Sequence, residues 1–119
     1  MNLLMKRVLI VFALFATVGL ANGFQLIKTT LSVTVRDEVG NTVEGAKVRL
    51  FENEEDYKSE EHMAVEGVTD AKGLVKFKDL KAIGYFVIAE KGDLDNSGGG
   101  EKTAKLEEKK VNKVTIIIQ

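Results

Sequence analysis

Gly67-Val68-Thr69-Asp70-Ala71-Lys72-Gly73-Leu74-Val75-Lys76-Phe77-Lys78-Asp79-Leu80, followed by Tyr85-Phe86-Val87-Ile88-Ala89-Glu90, is the stretch on which the reading of this chain turns. Thr69 to Gly73 is turn chemistry: an Asp carboxylate accepts hydrogen bonds from the backbone just after it, and glycine takes positive φ. Val75 and Phe77 then alternate with Lys76 and Lys78, which puts apolar groups on one face and cations on the other. That is a half-buried strand. Tyr85 to Lys91 is apolar on both parities, Tyr85, Val87 and Ala89 on one and Phe86 and Ile88 on the other, which predicts a central strand.

Working outward, Leu31, Val33 and Val35 alternate with Ser32, Thr34 and Arg36 and predict the first core strand. Asp37 to Asn41 supplies a turn, and Gly45-Ala46 leads into Lys47 to Phe51, with Val48 and Leu50 inward and Lys47 and Arg49 toward water. Phe51 has the outer parity and is expected to cover an edge or the loop after it. Ala64 to Thr69, Leu74 to Lys78 and Thr103 to Leu106 are further strand candidates, and Val111 to Ile118 closes the set, with Asn112 on the inward parity of Val114. Seven short strands with turn signals between them predict an all-β sandwich. The chain has no proline, so its reversals depend on Gly, Asn and Asp.

Glu52 to Glu61 carries six carboxylates without apolar periodicity. It is expected to be a mobile excursion with about one helical turn, because a short helix that is polar all round has no face to bury. His62, the only histidine, is expected to be a solvated loop residue.

The 119 residues fit one domain, and the formal charge of -1 provides no broad basic surface, so a nucleic-acid partner is disfavoured. Lys6 and Arg7 precede an uncharged apolar run from Val8 to Leu20, with small residues at Gly19, Ala21 and Gly23. These are the parts of a secretory signal peptide, expected at residues 1–21 with cleavage after Ala21. The run of about 13 residues is short for a membrane span of about 20, so no stable insertion is expected after cleavage. Residues 22–29 then form a lead-in and residues 30–119 the sandwich. Loss of Lys6 and Arg7 changes the charge from -1 to about -3. Without cysteine there is neither a thiolate metal site nor a lipid anchor carried on cysteine.

Gly45-Ala46-Lys47-Val48-Arg49-Leu50, Thr69 to Phe77 with Leu80, and Tyr85 to Ala89 together resemble the carboxypeptidase regulatory-like domains, over roughly Thr30 to Ile118. The resemblance implies a seven-stranded antiparallel Greek-key β-sandwich of the prealbumin or transthyretin type, shared with Cna B-type domains. Thr42-Val43 stands where many relatives have a proline before the Gly-Ala pair.

Three site chemistries follow from these residues. Gly92 to Glu101 starts like a calcium loop, with candidate oxygens at Asp93, Asp95, Ser97 and Glu101 and Gly98 at the sixth place, but Ala104 holds the twelfth, where a bidentate glutamate belongs. An isopeptide bond of the Cna B kind would use Asn112 and a first-strand lysine; Leu31 to Val35 contains none, and Lys28 has the outward parity. The transthyretin-like hydrolases of hydroxyisourate use several histidines and a terminal Tyr-Arg-Gly-Ser, whereas this chain ends Ile116-Ile117-Ile118-Gln119. No catalytic residue, cofactor or firm metal ligand is assigned.

The expectation is an exported, non-enzymatic binding or structural module of the bacterial cell envelope, periplasmic or secreted. Its partner is expected to be another envelope protein or a glycan, with the oligomeric state left open. The contact loops are expected at Asn53, Glu54, Glu55, Asp56 and Tyr57, and at Asp93, Asp95 and Asn96, together with any exposed strand edge. The alternative is a carbohydrate-binding module, for which the aromatics past Ala21 are Phe24, Phe51, Tyr57, Phe77, Tyr85 and Phe86.

Overall fold

A computed structural model describes residues 27–119. The signal peptide expected at residues 1–21 and most of the lead-in lie outside the described residues. The elements are β1 (Thr30–Asp37), β2 (Lys47–Phe51), α1 (Glu54–Ser59), β3 (Val65–Val68), β4 (Leu74–Phe77), β5 (Phe86–Lys91), β6 (Leu94–Asp95) and β7 (Val111–Ile118). They form two sheets, ordered β4-β1-β7 and β3-β2-β5-β6. This is the seven-stranded sandwich that the alternation predicts.

The inward parity is the core. Leu31, Val33 and Val35 of β1, Val48 and Leu50 of β2, and Val87 and Ala89 of β5 are fully buried. Ala46, Phe77, Tyr85, Leu106, Ile116 and Ile118 complete the cluster. Val48 lies opposite Ala89, and Leu50 opposite Val87, so the apolar sets of neighbouring strands coincide. β5 lies between β2 and β6, as its two apolar parities require.

The turn at Asp70 works as its chemistry predicts. Asp70 Oδ1 accepts from the N–H groups of Lys72 at 2.8 Å and Leu74 at 3.1 Å. Gly73 has φ +73 and its carbonyl accepts from Val35 N–H at 2.8 Å. Because β3 and β4 belong to different sheets, this turn is also the corner between the layers. Thr69, just before it, is buried: its hydroxyl accepts from Ala46 N–H at 2.9 Å and donates to the Val43 carbonyl at 2.6 Å.

Four details differ from the reading of the sequence. The sixth strand is Leu94–Asp95, not Thr103 to Leu106. Gly92, at φ +58, lets Lys91 and Leu94 pair across a two-residue turn. Residues 101–103 do run beside β5, with Val87 N–H donating to the Glu101 carbonyl and Thr103 N–H to the Tyr85 carbonyl. The chain then has to cross toward β7, and Leu106 plugs the core during that crossing. Second, β1 and β7 pair in parallel, Thr30 opposite Val111 through Asp37 opposite Ile118, while every other strand pair is antiparallel.

Third, Ser32 is buried although it faces outward, since β4 and β7 set Lys76 and Lys113 on either side of it. Fourth, Arg49 does not face water. Its side chain is 13% exposed, held by Glu60 at 2.7 Å and Glu90 at 3.2 Å.

Candidate functional site

The outer face of the β3-β2-β5-β6 sheet would expose Arg49, Phe51, Phe86, Ile88 and Glu90 if nothing covered it. The polar excursion supplies the cover. Asn53 caps α1, its Oδ1 accepting from Asp56 N–H at 2.8 Å, and Glu54, Glu55 and Asp56 occupy the first turn, where the helix dipole favours acids. Lys58 pairs with Glu54 one turn back at 3.0 Å, and Glu60 ends the helix in the left-handed region at φ 55.

This short helix is set down by one aromatic residue. Tyr57 stacks on Phe86 at 5.3 Å between centroids and meets Phe51 edge-on at 6.2 Å. Phe51 is therefore fully buried on its outer parity, covering the loop that follows it as its position predicts. Lys102 lies over Phe86 at 5.1 Å. The Tyr57 hydroxyl is held above the ordinary phenol range by burial first, then by the nearby Glu101 and Glu60 carboxylates.

Across β5 from α1 stands the segment after β6. Asp95 exchanges backbone hydrogen bonds with Gln119 at 3.3 and 2.9 Å, which fastens it to the end of β7. Its carboxylate accepts from both the hydroxyl and the N–H of Ser97, and these bonds hold it below the usual carboxylate range. Asn96 points inward. Its amide accepts from Ala89 N–H at 3.0 Å and donates to the Val87 carbonyl at 2.9 Å, so the side chain continues the sheet pairing beyond β6.

A cleft of about 250 Å³ lies between these two segments, lined by Tyr57, Lys58, Glu60, Ile88, Glu90, Asp95, Asn96 and Ser97. Of the expected contact residues, Tyr57, Asp95 and Asn96 meet here. Asn53, Glu54 and Glu55 are exposed around the start of α1, and Asp93 is at the β5–β6 turn. Asn96, 5% exposed, also anchors this wall of the cleft, because the two backbone groups it satisfies would otherwise be orphaned. The sequence reading missed Arg49, Glu60, Glu90 and Lys58. A sign of them was available in an arginine two residues before an outward phenylalanine and next to an acidic run.

The remaining candidates fall elsewhere. Among the described residues no group of three or more His, Cys, Asp or Glu side chains converges as metal ligands. The Asn112 amide is engaged in local bonds: Nδ2 donates to the carbonyls of Thr30 and Glu107, each at 3.1 Å, and Oδ1 accepts from Glu107 N–H at 2.8 Å. It secures the turn into β7. Lys28 is exposed and 3.8 Å from Asp79. His62, at φ 53, is exposed and 3.5 Å from Asp56. Phe77 and Tyr85 are core residues, and the rings of Tyr57 and Phe86 are stacked on one another.

No protein-family model matches this chain, and no curated protein matches it significantly. Solved structures do resemble it. The Bacillus anthracis TIE protein superposes with a TM-score of 0.58 and 19% identity, over 77% of this chain and 17% of that one. BcpA, the major pilin subunit of Bacillus cereus, superposes with a TM-score of 0.50 and 21% identity, over 77% of this chain and 30% of the pilin. A variant of the same pilin matches equally. This chain thus spans 30% or less of the length of these proteins, and what it shares with them is the sandwich fold.

Proposed function

We propose that this chain is an exported, non-enzymatic module of the bacterial cell envelope, periplasmic or at the surface, that serves as a structural or binding unit. The observation that carries the proposal is the meeting of α1 and the segment after β6 across β5, which presents a charged and aromatic cleft on a rigid sheet. The likeness to a pilin subunit supports a structural role at the cell surface. The pattern from Lys6 to Ala21 supports export. The closer affiliation, with the carboxypeptidase regulatory-like domains rather than other sandwiches of this type, belongs to the same proposal and rests on the turn and core residues quoted above.

In this role the cleft takes a protein segment. Lys58 offers a cation at one wall; Glu60, Glu90 and Asp95 offer acids, and Tyr57 and Ile88 offer apolar surface. The test is photocrosslinking in the producing cell from a reactive residue placed at Lys58 or Ser97, with Lys76 on the outer face of the other sheet as reference. Products specific to the first two positions are expected. Identical products from Lys76, or none from the cleft, would overturn the assignment.

A further inference from the structure

A second surface follows from the backbone of β7. This strand pairs with β1 and, among the described residues, with no other strand. In a parallel pairing alternate residues turn both backbone groups toward the partner. Thr30 N–H donates to the Lys110 carbonyl, and Thr30 lies opposite Val111, so the even-numbered residues of β7 are those bonded to β1. The odd ones, Val111, Lys113, Thr115 and Ile117, turn N–H and C=O away from β1, along the free edge of the sheet. Gln119, next in the odd series, confirms the direction, since it meets Asp95 on that side. Two open grooves run along the same edge: about 380 Å³ between Val111–Val114 and the segment 103–107, and about 260 Å³ between Thr115–Ile117 and the segment 96–100.

We propose that this edge pairs with the same edge of a second copy, antiparallel about a two-fold axis at Val114. The occupant is argued from the register. Odd residues must meet odd residues, because only they carry unpaired backbone groups. An axis at Lys113 sets Lys113 against its own copy, a like-charge pair. An axis at Thr115 sets Val111 against Gln119, whose backbone is already committed to Asp95.

The axis at Val114 avoids both conflicts. It pairs residues 111–117, the length of edge that Asp95 leaves open, and it puts Lys113 opposite Thr115. It also places Val111 opposite Ile117 twice. Those two side chains, 42% and 45% exposed, stand equally far from Val114 on the outer face, so pairing buries each against the other. The result is a continuous six-stranded sheet, β4-β1-β7 joined to its copy, held by a short edge contact and therefore reversible with dilution.

The proposal goes beyond the cleft and is tested apart from it. Sedimentation of the purified chain between about 1 and 500 μM is expected to show a monomer passing to a dimer. Thr115→Pro removes an N–H that points off the edge, and Ile117→Lys removes the apolar pair; each acts twice across the axis and is expected to raise the dissociation constant about tenfold or more. Val111→Glu added to Ile117→Lys sets Glu opposite Lys in this register and is expected to restore most of the loss. A monomer throughout the range, dimers unaffected by Ile117→Lys, or the absence of rescue each overturns the proposal. If Thr115→Pro does not fold, the exposed Ile117 and Val111 variants still decide.

Discussion

Gly73→Ala tests the corner on which the fold turns. Gly73 has φ +73, and a left-handed conformation costs a residue with a Cβ about 1–2 kcal/mol. A Cβ there would also come within 2.8 Å of Thr42 Cβ, 2.9 Å of the Val35 carbonyl oxygen and 3.0 Å of Val43 N. The backbone atoms among these cannot simply withdraw. Val43 N–H donates to the Val35 carbonyl at 2.9 Å, and Val35 N–H donates to Gly73 itself at 2.8 Å. Relief means lengthening one of these hydrogen bonds, for a further ~0.5–1.5 kcal/mol.

The expected destabilisation is therefore about 1.5–3.5 kcal/mol, read as a fall in the urea midpoint at constant slope for the chain from Asn22 onward. For a domain of this size it corresponds to a melting point lower by roughly 6–28 °C. Two references separate the terms. Gly40→Ala has φ +94 with nothing within 4 Å of the added Cβ, and so meets the backbone cost alone. Gly99→Ala meets neither and should stay within about 0.5 kcal/mol of the parent. If Gly73→Ala cost no more than Gly40→Ala, the close approach of the β1–β2 connection would not be what requires glycine at the corner.

Asn96→Ala leaves Ala89 N–H and the Val87 carbonyl without partners, and chemical denaturation should show a loss of about 2–4 kcal/mol. Tyr57 has a raised pKa, so the folded state holds its proton more tightly than the unfolded state. Its contribution to stability is complete below the ordinary phenol value of 10.0 and disappears as pH rises through the folded value. In a Tyr85→Phe background, phenolate absorbance should appear above pH 10, and Glu101→Gln or Glu60→Gln should bring it down; no response to either would reject the two carboxylates as contributors. Calcium added to the purified chain should release no heat and leave the melting point unchanged, since the Asp95 carboxylate is already engaged by Ser97; a saturable shift would restore the Asp93, Asp95, Ser97 and Glu101 candidates. Intact mass of the secreted protein should place Asn22 at the N-terminus, and a mass retaining residues 1–21 would overturn the cleavage reading.

Period-two alternation in β1, β2, β4 and β7 was enough to give the sandwich class and most of the core, because a half-buried strand writes its burial directly into its sequence. The turns at Asp37 and Asp70 were legible for a similar reason: their hydrogen bonds close within four residues. Three features needed the folded chain. β6 is two residues long, too short to carry alternation; it is a strand through its pairing with Glu90 and Lys91 of β5, and Asp95 in addition meets Gln119 from the far end of the chain. Arg49 reads as facing water until α1, seated through Tyr57 on Phe51 and Phe86, brings Glu60 against it. The outward β7 edge depends on its parallel pairing with β1, across about eighty residues of intervening chain. What the sequence determined by itself was which groups go inside, a local property of side-chain order. Which surfaces remain open, and which loops meet across β5, was decided only by tertiary structure, because those relations join residues that are distant along the chain.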